Sequence, residues 1–252
     1  MADQEGGDVR RLANAPPRLA PREMSSGRVA FEEGLATGRA LARVGVNVDL
    51  APVADVEQLP GSFLGSRSFG ASPRLVGERA CSFARGLVRA GVDYTLKHFP
   101  GLGTAPGSTD AEPVSVGTPA GTLRANYAAY QRCGHGPHVL VMISSASYPA
   151  LSGDEMPAVD SRETYRIELR RAHVRAVTIS DDLQAGALAG IDRPGSHALA
   201  AGLDLLLYAQ SEQVAGEAYE KLAAELREGA LSEARVREAV GLVTLLKVGV
   251  AR

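Results

Sequence analysis

The sequence predicts an α/β protein built on a parallel sheet. Short apolar runs recur along the chain, each nearly continuous rather than alternating, as in strands covered on both faces. Segments with helical spacing of apolar residues lie between these runs, so strand and helix alternate.

The first run, VGVNVDLAPV, occupies 44–53. Ser72 and Pro73 then open a helix, Ser72 as N-cap and Pro73 at the first helical position. Val76, Ala80, Phe83 and Leu87 share its apolar face, and Gly91 ends it. VDYTLKHF (92–99) is the next strand. The stretch 101–121, rich in Gly, Pro, Ser and Thr, follows it directly and reads as a long βα loop, not a linker. HVLVMIS (138–144), VRAVTIS (174–180) and LDLLLYA (203–209) complete the predicted strands. A later helix carries Val214, Ala218, Leu222 and Leu226 and stops at Gly229. Ser232 caps the last helix, predicted to bury Val236, Val240 and Val243 or their neighbours. Nothing divides the 252 residues, so 1–252 reads as one domain.

A net charge of −2 favours neither nucleic acid nor an anionic membrane surface as partner. No run approaches the roughly 20 apolar residues of a membrane span. Cys81 and Cys133 are far apart and lack metal-ligand spacing; they are expected to be free buried thiols, Cys81 as a small residue inside a helix. No signal peptide, strand or helix is read before Asp3.

Polar groups gather at the ends of the strands. Asp55 follows LAPVA, Lys97 and His98 end the next strand, Ser144 and Ser145 another, and Asp181 and Asp182 the one after. In a parallel barrel these ends share one rim, where the active site lies. Paired carboxylates at such a rim suit glycoside hydrolysis, one as nucleophile or base and one as proton donor, with Asp181 the nucleophile candidate. The alternative is that the pair caps the following helix, with Asp182 the better placed. Lys97 and His98 have three readings: sugar ligands, ion pairs with a carboxylate such as Asp55, or a Schiff-base lysine. His135 and His138 flank Gly-Pro and read as turn residues.

Five ordered segments then carry a resemblance: DQEGGDVRRL (3–12), VNVDLAPVADV (46–56), GSRSFGASP (65–73), KHFPGLG (97–103) and VTISDDLQAGAL (177–188). Together they resemble the N-terminal barrel domain of family 3 glycoside hydrolases, most closely its β-N-acetylhexosaminidase branch, which acts on N-acetylglucosaminides including cell-wall fragments. The resemblance implies a (β/α)8 TIM-type barrel and a retaining mechanism with no metal and no organic cofactor. It implies Asp181 as nucleophile and Asp3, Arg11, Arg67, Lys97 and His98 as ligands of a small carbohydrate. Members of this branch are cytoplasmic or exported, and the resemblance selects neither.

The sequence departs from the family pattern in two places. The family barrel begins upstream of DQEGG, so the barrel is expected to lack its first strand or strands, or to be completed by another chain. The branch also carries Asp-Ser-His on the loop after KHFPGHG, where the His, oriented by the Asp, handles protons. Here Ser108 and Asp110 fall at those two positions, and 101–113 contains no His. Asp110 becomes the acid/base candidate, with Glu112 second and His197 a remote substitute. The alternative function is a sugar-binding member of the same fold with impaired catalysis.

Overall fold

The computed structural model describes residues 1–59 and 61–250. Five parallel strands form one sheet in the order β3 (Val48–Asp49), β4 (Asp93–Phe99), β5 (His135–Ile143), β6 (Arg175–Asp182) and β7 (Leu205–Leu207). Spatial order follows sequence order, as in part of a barrel wall. A small antiparallel hairpin, β1 (Gln4–Gly6) and β2 (Val9–Arg10), precedes it. Ala2 bridges Asp49 in parallel, extending the sheet beyond β3. The result is an α/β fold with a half-barrel sheet.

Helices α1 (Gly27–Arg43) and α2 (Pro73–Arg89) flank β3 in the chain. The shorter α3 (Ala120–Ala125), α4 (Ala128–Cys133), α5 (Pro149–Ser152), α6 (Leu169–Arg171) and α7 (Pro194–Ala201) separate the later strands. The chain closes with α8 (Glu212–Arg227) and α9 (Glu233–Val250).

The continuous apolar runs have a direct cause. Val139, Val141 and Ile143 of β5 pack towards the helices with Phe83, Leu87 and Tyr130, while Leu140 and Met142 face the other side. There they meet Val48, Leu50, Val177 and Ile179, and Leu246 of α9 packs onto this second layer. Both faces are therefore dry, and every residue of β4 is buried.

All five predicted runs contain a strand, but two are much shorter than their runs. The first stops at Asp49, and beyond it Pro52 has no N–H for a ladder; an isolated bridge joins Val53 to Lys97. The α2 face is as predicted, with Val76, Ala80, Phe83 and Leu87 buried. Ser72 holds the N-cap position, yet its side chain makes no capping hydrogen bond; Pro73 at the first turn marks the start. Gly86 lets α1 close on α2, since a Cβ there would strike the Phe31 carbonyl.

Three expectations are corrected. Cys81 and Cys133 are not free thiols but a disulfide, with Cα atoms 5.9 Å apart across 52 residues of sequence. The packing of α2 against α4 brings them together, which spacing along the chain does not reveal. Val240 is 59% exposed, because the buried seam of α9 runs through Val236, Ala239, Val243 and Leu246 and Val240 lies one residue out of phase. His135 and His138 belong to β5 rather than a turn: a register irregularity between His135 and Leu140 accommodates Pro137, and His138 Nδ1 sits 2.8 Å from Asp93 Oδ1.

Candidate active site

The C-terminal ends of β4 and β6 open onto one cavity of about 260 Å³. Asp3, Arg11, Arg67, Lys97, His98, Asp110 and Asp181 all line it. Six separate stretches deliver them: the segment entering β1 (Asp3), the residue following β2 (Arg11), a 3₁₀ turn (Gly65–Arg67), the end of β4 (Lys97 and His98), the loop after β4 (Asp110) and the end of β6 (Asp181).

Lys97 lies nearly out of solvent, its Nζ 2.7 Å from Asp3 Oδ1 and 2.6 Å from Glu5 Oε1. Burial alone would lower its pKa, but Glu5 and Asp3 more than offset this and raise it above the ordinary lysine value. A permanently protonated amine is no Schiff-base nucleophile, so the geometry argues against that reading of Lys97. Glu5 also receives a two-pronged guanidinium contact from Arg67, at 2.8 and 3.0 Å. Burial pushes the Glu5 carboxyl up; Lys97 and Arg67 overcome it and hold it at about 2. Burial works against the Arg67 charge as well, and Glu5 reverses the effect. Arg11 is a rim residue, its side chain 69% exposed and 3.8 Å from Asp3.

His98 is oriented by Asp55, as one sequence reading allowed. Its Nδ1 lies 2.7 Å from Asp55 Oδ2, and the same carboxylate accepts the backbone N–H groups of His98 at 3.2 Å and Leu102 at 2.7 Å. With Nδ1 engaged, the ring offers Nε2 for a ligand.

Asp181 is half-buried, and Oδ1 accepts the Asp182 N–H at 2.9 Å. No cation pairs with it among the described residues. The capping alternative for the pair is corrected: α7 starts only at Pro194, and Asp182 instead accepts the N–H groups of Gln184 at 3.1 Å and Ala209 at 3.3 Å. The first shapes the turn that leaves β6, and the second ties Asp182 to the segment following β7.

Asp110 is exposed, but its loop is fastened. The N–H groups of Gly186 and Ala187 donate to the carbonyls of Asp110 and Thr109, at 3.0 and 2.9 Å. Gly186 is required for that approach, since a Cβ would collide with the Ala111 carbonyl. Ser108 Oγ donates to Asp110 Oδ2 at 3.3 Å. Further along, Val116 and Ser147 N–H groups pair with the carbonyls of Ser147 and Val114, each at 2.9 Å. Glu112 is not among the groups lining the cavity, nor are Ser144 and Ser145. His197 lines a separate cavity of about 580 Å³ with Asp160, whose carboxyl burial raises to about 6 against the pull of His197.

Sequence reasoning missed Glu5 as a site residue, although the signal was present. Residues two apart in an extended segment face the same way, so Asp3 and Glu5 of DQEGG both reach Lys97.

The profile of the Glycosyl hydrolase family 3 N terminal domain matches residues 1–246. An uncharacterized secreted glycosyl hydrolase of Arthroderma benhamiae is 34% identical over 250 residues, which cover 94% of this chain and 70% of that protein. The beta-hexosaminidase LpqI of Mycobacterium tuberculosis is 30% identical, with 97% and 66% covered. The solved structure of a glycoside hydrolase family 3 beta-N-acetylglucosaminidase from Paenibacillus sp. str. FPU-7 superposes with a TM-score of 0.89 at 29% identity, covering 99% of this chain and 49% of that one. The chain thus spans about two thirds of these curated relatives and about half of that structural neighbour. With a family profile over almost its full length and relatives at this identity, the chain belongs to the N-terminal domain of glycosyl hydrolase family 3.

Proposed function

We propose that this chain is a retaining glycoside hydrolase of the β-N-acetylhexosaminidase type, acting on N-acetylglucosaminides or cell-wall fragments. The names of the relatives at about 30% identity support the substrate class. The observation that carries the reading is the charge arrangement of the cavity. Asp3 and Glu5 pair with Lys97, Arg67 and Arg11, which leaves Asp181 without a cation and free to attack.

In this reading Asp3, Arg11, Arg67, Lys97 and His98 hold the sugar hydroxyls, the carboxylate accepting hydrogen bonds and the others donating them. The Asp181 carboxylate attacks the anomeric carbon as the glycosidic C–O bond breaks, and Asp110 gives its proton to the leaving oxygen. Asp110, now ionised, takes a proton from water, whose oxygen attacks the same carbon and releases Asp181. Asp110 thus carries both proton transfers, and Asp181 the covalent bond. We further read the half-barrel sheet as part of a (β/α)8 barrel and 1–252 as one domain of that type. The bridge from Ala2 to Asp49 supports this, since it lays backbone where a neighbouring barrel strand would run.

Asp181→Asn is expected to abolish turnover, by at least about 10³-fold. Asp110→Ala is expected to slow alkyl or disaccharide substrates far more than activated aryl glycosides, which need no proton. Equal losses on both substrates remove Asp110 from the acid role. The loop after β4, which has Ser108 and Asp110 where the branch has an Asp and a His, favours a second reading, a sugar-binding domain with impaired turnover. Calorimetric binding of N-acetylglucosamine with no aryl release in the wild type selects that one.

A further inference from the structure

Asp49, at the end of β3, is fully buried against the segment that carries Asp3, Gln4 and Glu5. Its Oδ1 accepts the Gln4 backbone N–H at 3.0 Å, and its Oδ2 has no hydrogen-bond partner among the described residues. The backbone on either side grips the same segment: Ala2 N–H donates to the Val48 carbonyl at 3.2 Å, and Leu50 N–H to the Ala2 carbonyl at 2.8 Å. The Gln4 side chain is held from another direction, donating to the carbonyls of Leu12 at 3.1 Å and Pro16 at 2.8 Å. Gln4 is thus held through both its main chain and its side chain, and its neighbours Asp3 and Glu5 are the two carboxylates on Lys97.

The charged groups around Asp49 are Asp3 and Glu5 from the β1 segment and Lys97 from β4, with Arg67 bound to Glu5. Lys97 is already committed to Asp3 and Glu5. A third carboxylate there, sealed from water with one oxygen unpartnered, is strongly disfavoured in its ionised form. Burial raises the Asp49 carboxyl well above the usual range; the Gln4 N–H and Lys97 oppose this, and Asp3 and Glu5 reinforce it.

We propose that Asp49 is a positioning residue that works as a neutral carboxylic acid, fixing the Gln4 backbone so that Asp3 and Glu5 are set on Lys97 in the sugar-holding geometry. Its kinetic consequence rests on the proposed function; the buried proton and the effect on Lys97 do not.

Asp49→Asn keeps the acceptor, the volume and the neutrality, and Asp49→Leu removes the acceptor. Thermal melts of the wild type and Asp49→Asn from about pH 4 to about pH 7 read the proton. A carboxyl protonated in the fold but ionised in the unfolded chain costs the wild type stability as pH rises above about 4. The Tm of Asp49→Asn minus that of the wild type is therefore expected to widen with pH; a constant difference overturns the neutral acid. Lys97 is expected to resist reductive methylation in the wild type and Asp49→Asn and to be modified in Asp49→Leu. With an aryl N-acetylglucosaminide, Asp49→Leu is expected to raise KM about 10-fold with little change in kcat, and Asp49→Asn to stay within about 3-fold of wild type. If Asp49→Asn loses as much as Asp49→Leu, or neither variant alters Lys97 or KM, the positioning role is overturned. A wild type that neither binds nor cleaves an N-acetylglucosaminide sinks the proposed function, while the melts and the methylation still judge Asp49.

Discussion

Lys97 and Arg67 stand on a wall of the cavity that is sealed by buried ion pairs, whereas Asp110 stands on a wall made of loop. The first wall is organised by charge: Glu5, with no exposed side-chain surface, joins two cations. The second is organised by backbone hydrogen bonds and by a glycine, and its carboxylate reaches solvent. In the proposed mechanism the first wall holds the sugar, and buried pairs keep its groups in one geometry. The second wall carries the proposed proton donor, and a fastened loop keeps that carboxylate in contact with water. The two walls should therefore respond differently to perturbation.

The largest effect is expected from Glu5→Ala. It leaves Lys97 and Arg67 side by side without their shared carboxylate, a loss of about 3–5 kcal/mol in denaturant unfolding. A loss under about 1 kcal/mol, the range of surface pairs, would erase the distinction between the walls. Acid should attack the same wall next. The folded Glu5 carboxyl is at about 2 against an ordinary 4.5, so its stabilisation is complete above 4.5 and disappears as pH falls towards 2. That difference corresponds to about 3 kcal/mol, read as the part of the wild-type acid limb that Glu5→Ala lacks. The smallest effect belongs to the loop wall. Gly186→Ala should push the 109–111 backbone away at about 1–3 kcal/mol. It should lower turnover of poor leaving groups while leaving sugar binding nearly intact; a matching loss of binding would show the walls to be coupled.

Much of this architecture could be read from the chain because burial on both faces writes itself as continuous apolar runs. The strand-end residues were legible for a related reason: a parallel sheet sends every C-terminal end to one rim, so Lys97, His98 and Asp181 meet although far apart in sequence. What was not legible depends on packing between distant segments. Asp49 and Gln4 are 45 residues apart, and nothing in NVDLAP announces that its carboxylate will grip a backbone N–H. The phase of α9 was missed because its apolar residues, Val240 and Leu245 among them, surround more of the helix than the sheet covers. Asp55 was named only as one partner among alternatives, since its grip on His98 and Leu102 needs the turn after β4 to fold back over it.

The Cys81–Cys133 link ties α2, which lies along the back of the sheet, to the end of α4, whose next residues begin β5. Closing a stretch of 52 residues restricts the unfolded chain by about 4 kcal/mol in a chain-entropy treatment. Such bridges persist in oxidising surroundings and are opened in a reducing cytosol. The half-barrel thus has two grades of robustness set by its environment, one with its outer helices covalently clasped and one relying on side-chain contact alone.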